Sequence, residues 1–262
     1  MDTPQRLFAF LESNRVYNHE VQQNYYRHTL SQHTTLTQRL YCLLHSVVHT
    51  QSRPKMDAIG PFFKQYFACH SSIETFTDFV RFLEQGTPPS KAKIDPNTQP
   101  YLHLYDVVNK QKGWGPKTAA LLVKALYHLH SDHYAPELAI FAAFPELQTD
   151  DRLFLPVDSV ITHVFKVDLK VDCPANFNGI NAFLQQRYNA KQMEVWDDLW
   201  FWGYITQSTK NSSRYSSGFN ENKYWSNLYT NKQLDLPLLK LKIDEYLEII
   251  NAPSAQAITS GL

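Results

Sequence analysis

Lys117 and Asp158 are the two side chains of this chain best suited to covalent chemistry together. An unprotonated lysine amine attacks electrophilic carbon and forms a Schiff base, and partial burial or a nearby helix N-terminus helps to free it of its proton. A carboxylate beside it stabilises positive charge as it develops and relays protons. At the sugar of a nucleotide, those two roles would cleave the bond between the base and C1′. Sequence distance does not show that the residues meet, so the elements that carry each one must be read next.

Lys117 lies in GWGPKTA, Gly113–Ala119. Two glycines there make a tight turn, and Pro116 stands where a helix would start, a place where its missing N–H has no intrahelical partner to lose. The following TAALLVKAL sets Ala119, Leu122, Val123 and Leu126 at the spacing of one helix face. Upstream, LHLYDVVNKQK (Leu102–Lys112) forms a second short helix with Leu104, Val107 and Val108 on one side. The expectation is helix, glycine hairpin, helix over roughly residues 102–126, with backbone N–H groups able to hold a phosphate. An ordinary turn between two helices, carrying a surface lysine, accounts for the same residues.

Asp158 sits in LFLPVDSVITHVF, where it is a natural N-cap for a helix with Ile161, Val164 and Phe165 on its apolar side. Capping alone explains it. The functional alternative is a carboxylate held rigidly at a helix start, whose positive end favours the ionised form. Further along, Trp196 and Trp200 are four apart in the aromatic run WDDLWFWGYI and share a helix face. Core packing is the default for such rings, and bordering a pocket for an extruded base is the sharper possibility. Arg214 and Tyr215, in the polar stretch NSSRYSSGFNENKY, read as a solvated loop with backbone phosphate as the alternative contact.

Most remaining segments favour helix. LYCLLHSVVH (Leu40–His49) is a buried core helix, and IGPFFKQYFACH and IETFTDFVRFLEQG follow, the second closing at Gly86. Thr87–Pro100 is the clearest loop. ELAIFAAFPEL reads as another helix, as do VDSVITHVFKV, FNGINAFLQQRY, MEVWDDLWFWGYIT and LPLLKLKIDEYLEII, although β-branched residues keep a strand open over ITHVFKVDLKVD. The division expected is a central helical lobe at 35–155 and a second lobe built from 1–34 plus 156–262.

The 262 residues carry 25 Lys and Arg against 25 Asp and Glu, so the whole chain lacks the basic excess of most nucleic-acid binders. Lysines 110, 112, 117 and 124 nevertheless surround the hairpin with only Asp106 nearby, which makes a local positive patch. Cys42, Cys69 and Cys173 are too few and too scattered for a disulfide framework or a cysteine metal cage. Among eleven histidines, HLHSDH (His128–His133) is the nearest approach to a ligand cluster and reads as surface histidine rather than metal site. No apolar run reaches the length of about 20 residues that a membrane span needs, and an intracellular protein is expected.

GWGPKTAALLV resembles the hairpin and following helix of the helix-hairpin-helix DNA glycosylases, the superfamily of endonuclease III and the 8-oxoguanine glycosylases. LPVDSVITHVF resembles that family's Val-Asp-Ser/Thr segment, and LYCLLHSVVHTQSR (Leu40–Arg53) its earlier buried helix and Ser-x-Gln-type turn. The three segments occur in the family's order over roughly residues 40–165. The resemblance implies a two-lobed, mainly α fold, with Lys117 as nucleophile and Asp158 as the aspartate needed for glycosidic cleavage. It implies DNA-backbone contacts from Gly113, Gly115 and Thr118, insertion into the duplex by Gln51, and a base pocket near Trp196 or Trp200. Retention of both Lys117 and Asp158 implies a glycosylase with associated β-lyase activity. Their separation is more than twice the family's usual one, so an insertion within Leu126–Leu155 must be accommodated.

The endonuclease III cluster motif is absent, so no iron–sulfur cluster is expected, nor any other catalytic cofactor; a monovalent cation is the one ion the hairpin would hold. The expected partner is duplex DNA, bound by a monomer away from any membrane, in the cytoplasm or nucleoid, or in the nucleus of a eukaryote. Two other readings stay open. One is a non-catalytic DNA-binding protein that kept the hairpin, and the other is a helical protein-interaction module, which suits the neutral charge and the aromatic surplus.

Overall fold

A computed structural model of the chain describes residues 1–51, 54–88, 93–131, 134–211 and 213–252. Ser52, Arg53, His133 and part of the expected Thr87–Pro100 loop lie outside these residues. The protein is mainly α-helical with one small β-hairpin. Several of its helices begin at side chains that accept the otherwise unpaired first-turn amides. Asp2 and Gln5 form a reciprocal cap for α1 (Thr3–Ser13), Thr35 caps α3 (Leu36–Val48), and Thr75 with Asp78 caps α5 (Phe76–Glu84). Between them run α2 (Arg15–Leu30) and α4 (Met56–Cys69), the latter continuing through Pro61.

The chain divides into two compact units. The larger continuous one, Tyr25–Pro156 with Tyr188–Lys191, contains α3 to α5 and the helix pair α6 (Pro100–Asn109) and α7 (Pro116–Leu129). The apolar stripe expected of α7 is buried in full, as are Leu104, Val107 and Val108 of α6. The cap of α6 comes from far along the chain. The Asp151 carboxylate accepts hydrogen bonds from the backbone N–H of Tyr101 (2.9 Å), Leu102 (2.9 Å) and its own neighbour Arg152 (2.8 Å).

The segment ELAIFAAFPEL is not a helix; only a 3-10 turn forms at Pro136–Leu138. Its backbone groups are satisfied by side chains instead: Arg39 donates to the Ala139 carbonyl (3.1 Å), and His130 Nε2 accepts from Phe141 N–H (3.0 Å). Ring packing replaces helical burial, with Phe144 stacked on His130 at 4.1 Å and edge-on to Phe76 at 4.7 Å. His128 and His130, read from sequence as surface histidines, are therefore structural. His128 is fully buried against Tyr26 and Tyr134, and burial pushes the His130 imidazole below its usual range.

The other unit takes Met1–Asn24, Val157–Arg187 and the chain from Gln192 onward. It holds α1, α8 (Ser159–His163), α9 (Phe177–Gln185), most of α10 (Ala190–Asp197), α11 (Leu199–Thr206), α12 (Glu221–Ser226) and α13 (Leu236–Ile250). The ITHVFKVDLKVD stretch is helical as far as Asp168 and forms no strand, α8 running into a wider π-helical turn at Val164–Asp168. The core gathers Phe10, Tyr17, Trp202 and Tyr246, with Phe10 edge-on to Trp202 at 4.9 Å. NSSRYSSGFNENKY, read as loop, supplies strand β2 (Ser213–Ser216), paired antiparallel with β1 (Gln207–Lys210), and then α12. Alternate residues explain the strand: Arg214 and Ser216 share one face and find partners on it, the Gln207 side chain for the first and Asp168 for the second. No described helix is long and apolar enough to cross a membrane.

MEVWDDLWFWGYIT forms two helices, not one, and they meet at Asp198. This carboxylate is 1 % exposed, and it accepts from Asn18 (2.7 Å) and from Arg15 Nε (3.2 Å), while Arg15 also binds Glu194 at 2.7 Å. Burial outweighs Arg15 and pushes the Asp198 carboxyl up to about 8. The folded chain thus keeps a proton that the unfolded chain releases near pH 4, at the ordinary carboxyl value. Stability should fall as pH rises from about 4 to about 8 and then level off. Urea midpoints at pH 5 and pH 8 measure this slope, and Asp198→Asn should flatten it.

Candidate functional site

The hairpin is built by three local interactions. Gly113 adopts φ +84°, a left-handed conformation, and a Cβ there would lie 2.6 Å from Ile59 Cγ1. The Gln51 amide donates to the Gly113 carbonyl at 3.2 Å. The Thr118 hydroxyl accepts from Gly115 N–H (2.8 Å) and donates to the Gly115 carbonyl (3.0 Å). Two residues expected at the DNA therefore hold the turn itself: Thr118 is buried with its hydroxyl turned back on Gly115, and Gln51 is tied to Gly113.

Gly115 differs from Gly113. Its φ of −137° suits any residue, and a Cβ added there would meet nothing within 4 Å. Neither conformation nor crowding inside the protein calls for glycine at this position. Lys117 follows on the first turn of α7, partly exposed and in no ion pair with a described residue. With Pro116 lacking an N–H and that of Gly115 taken by Thr118, the helix start presents the amides of Lys117 and Thr118. Of the expected lysine patch, Lys110 is neutralised by Asp106 at 2.5 Å, and Lys112 is exposed.

Asp158 caps α8 as its position implies. Oδ1 accepts from the backbone N–H of Val160 (2.8 Å) and Ile161 (3.1 Å), while Oδ2 accepts from the Trp200 indole at 3.2 Å. All three partners are donors, so the carboxylate serves as acceptor throughout. Gly203 makes this meeting of α8 and α11 close, since a Cβ there would stand 2.7 Å from Val160 Cγ1. Trp200 stacks on Tyr204 with centroids 4.9 Å apart and planes 13° from parallel. Trp196, expected on the same helix face, lies on α10 and is wholly buried near Phe8 and Phe165, in the core of its unit.

Two cations missed as neighbours of Asp158 by the sequence reading lie in the same unit. Lys223, on α12, places its ammonium 4.9 Å from the centroid of the Tyr204 ring. Burial, then Arg214, lower its pKa, and Asp158 partly opposes them. Arg214 donates to Gln207 Oε1 (3.0 Å) and Ser159 Oγ (2.8 Å). No local pattern could have announced Lys223, because the hairpin and α12 bring it back from far along the chain.

Lys117 stands in the unit of residues 25–156 and Asp158 in the other. Cys42, Cys69 and Cys173 are free thiols, and no group of three or more metal-binding side chains gathers among the described residues. Neither known family models, nor characterised proteins, nor solved structures match this chain.

On an open helix face, Gly→Ala stabilises by about 1 kcal/mol. At Gly203 the sign should reverse, because the Val160 contact must give way: Gly203→Ala should cost about 1–3 kcal/mol. A lower urea midpoint at unchanged slope is the expected result. Trp200→Phe, which leaves a smaller aromatic ring and removes the donor to Asp158, should cost at least about 1 kcal/mol.

Proposed function

We propose that the protein is a DNA glycosylase with associated β-lyase activity, acting on a damaged or modified base in duplex DNA. The observation that carries the reading is the hairpin at Gly113–Thr118. Its turn is braced from within by Gln51 and Thr118, while Gly115 is bare toward solvent and Lys117 opens the next helix. A backbone made bare at the start of a helix suits close approach of a phosphate. The three-donor setting of Asp158 supports the second role, since it fixes a carboxylate in one orientation.

In this reading Lys117 Nζ forms a bond to C1′ as the bond from C1′ to the base breaks, and the bonding pair leaves with the base, which takes up a proton. Asp158 stabilises the positive charge that develops on the sugar. Ring opening gives a Schiff base, and loss of a proton from C2′ then expels the 3′ phosphate by β-elimination. The reading requires Lys117 and Asp158 to serve the same nucleotide. A two-lobed glycosylase architecture belongs to the same proposal, as does intracellular action on duplex DNA.

Borohydride trapping tests it on duplexes carrying 8-oxoguanine, an oxidised pyrimidine, uracil, an alkylated purine or an abasic site. A covalent adduct should form on one modified base, disappear in Lys117→Ala, and coincide with base release that falls at least 100-fold in Asp158→Asn. Binding to duplexes without trapping or base release would instead establish a non-catalytic DNA-binding protein. No salt-dependent DNA affinity at all would favour a protein-interaction module.

A further inference from the structure

Arg214 reaches Ser159, the residue after Asp158, and Lys223 lies over Tyr204, whose stacking partner Trp200 meets Asp158 itself, yet neither cation forms an ion pair with a described carboxylate. Among the described residues, Asp158 is the one carboxylate that offsets the charge of Lys223, and it does so only in part, so a second anion would find two cations incompletely neutralised. Asp158 and Asp168, the acids whose contacts lie beside this cluster, already have partners of their own. Asp158 is held by two backbone amides and the Trp200 indole, and Asp168 faces His163 (3.5 Å) and the Ser216 hydroxyl (2.9 Å). Arg214 is also fixed in place, one terminal nitrogen on Gln207 and the other on Ser159, which lowers the entropy cost of presenting it to a ligand.

The apolar side of this cluster is as specific as its charge. Trp200 and Tyr204 form a near-parallel stack, both partly exposed, with the Lys223 ammonium over the Tyr204 ring. Aromatic faces beside cations are the combination that binds nucleotides, the rings taking the base and the cations the phosphate. An isolated inorganic anion would need only the cations, and an apolar peptide only the rings.

The geometry points to a nucleotide-binding subsite in which Arg214 and Lys223 hold a phosphate and Trp200, backed by Tyr204, offers its other face as a stacking surface to the base. It deepens the glycosylase reading and rests on it for the choice of DNA as the source of the nucleotide. The subsite would hold the phosphate next to the altered nucleotide while Asp158 faces the sugar. Lys223 and Arg214 are thereby assigned to substrate positioning, separately from the amine chemistry of Lys117.

Calorimetric titration of the full chain with thymidine 5′-monophosphate, with thymidine and with inorganic phosphate tests the subsite directly. The monophosphate should bind at least tenfold more tightly than either fragment. Arg214→Gln and Lys223→Gln should each weaken it tenfold or more, with Lys223→Arg restoring most of the loss. Lys240→Gln, which removes an exposed lysine paired with Glu221, should bind as the unaltered protein does. Circular dichroism of each variant confirms that it is folded. Absence of monophosphate binding, equal binding of thymidine, or full affinity in both glutamine variants would overturn the subsite. Trapping separates this outcome from that of the parent reading. Duplex processing with unchanged monophosphate affinity in the variants removes the subsite and leaves the glycosylase. Monophosphate binding that depends on Arg214 and Lys223 sustains the subsite even where no duplex is processed.

Discussion

Backbone amides at helix starts must find acceptors, and in this chain two carboxylates on one short connecting segment meet that demand. Asp151 caps α6, and Asp158 caps α8. The extended residues between them carry the chain from one compact unit into the other. The two caps are chemically distinct. Asp151 is 4 % exposed, all its partners are backbone amides, and nothing of it is left to meet a ligand. Asp158 is partly exposed and gives one oxygen to a side chain of another helix, the Trp200 indole. Capping and function are therefore compatible explanations of Asp158, because the cap supplies the rigidity that an electrostatic role needs.

The three glycines nearest these sites divide by what they permit. Gly113 serves the turn, through its left-handed φ and its contact with Ile59. Gly203 serves packing, letting α11 approach α8 closely enough for Trp200 to reach Asp158. Gly115 serves neither, and its open side is the feature that internal stability leaves unexplained. The hydrogen bonds of Thr118 and Gln51 bear on the same point. They spend two polar side chains on fixing the turn, so that a ligand meeting it finds backbone already in place.

Helix periodicity made much of the fold legible, and it failed where tertiary partners replaced local ones. The stripe Ala119, Leu122, Val123 and Leu126 points inward as its spacing requires, and Asp158 stands at the helix start its neighbours imply. ELAIFAAFPEL carries the same apolar density without becoming helix, because His130 and Arg39 satisfy its backbone and its rings stack on neighbours. The break at Asp198 is likewise invisible locally, since it depends on Arg15 and Asn18 from α2. At the candidate site, Trp196 and Trp200 carry the same residue type, yet one is core and the other reaches a carboxylate. Their helices are separate, which cancels the face that their spacing seemed to share. Lys223 was illegible for a simpler reason: α12 grows out of a stretch whose serines and asparagines read as loop, and its approach to Tyr204 is purely tertiary.

The equal count of acids and bases does not describe how the charges are placed. A formal charge treats every carboxylate as an exposed anion. Here Asp151, Glu194, Asp197 and Asp198 are buried, and Asp158 and Asp168 face donors supplied by the protein itself. Asp198 is buried beside Arg15, and burial pushes its carboxyl pKa upward, so it contributes little to the field at the surface. Lysine and arginine bury their stems while their charged heads stay near water. Any charged partner responds to the local field at the surface it meets rather than to the sum over the sequence.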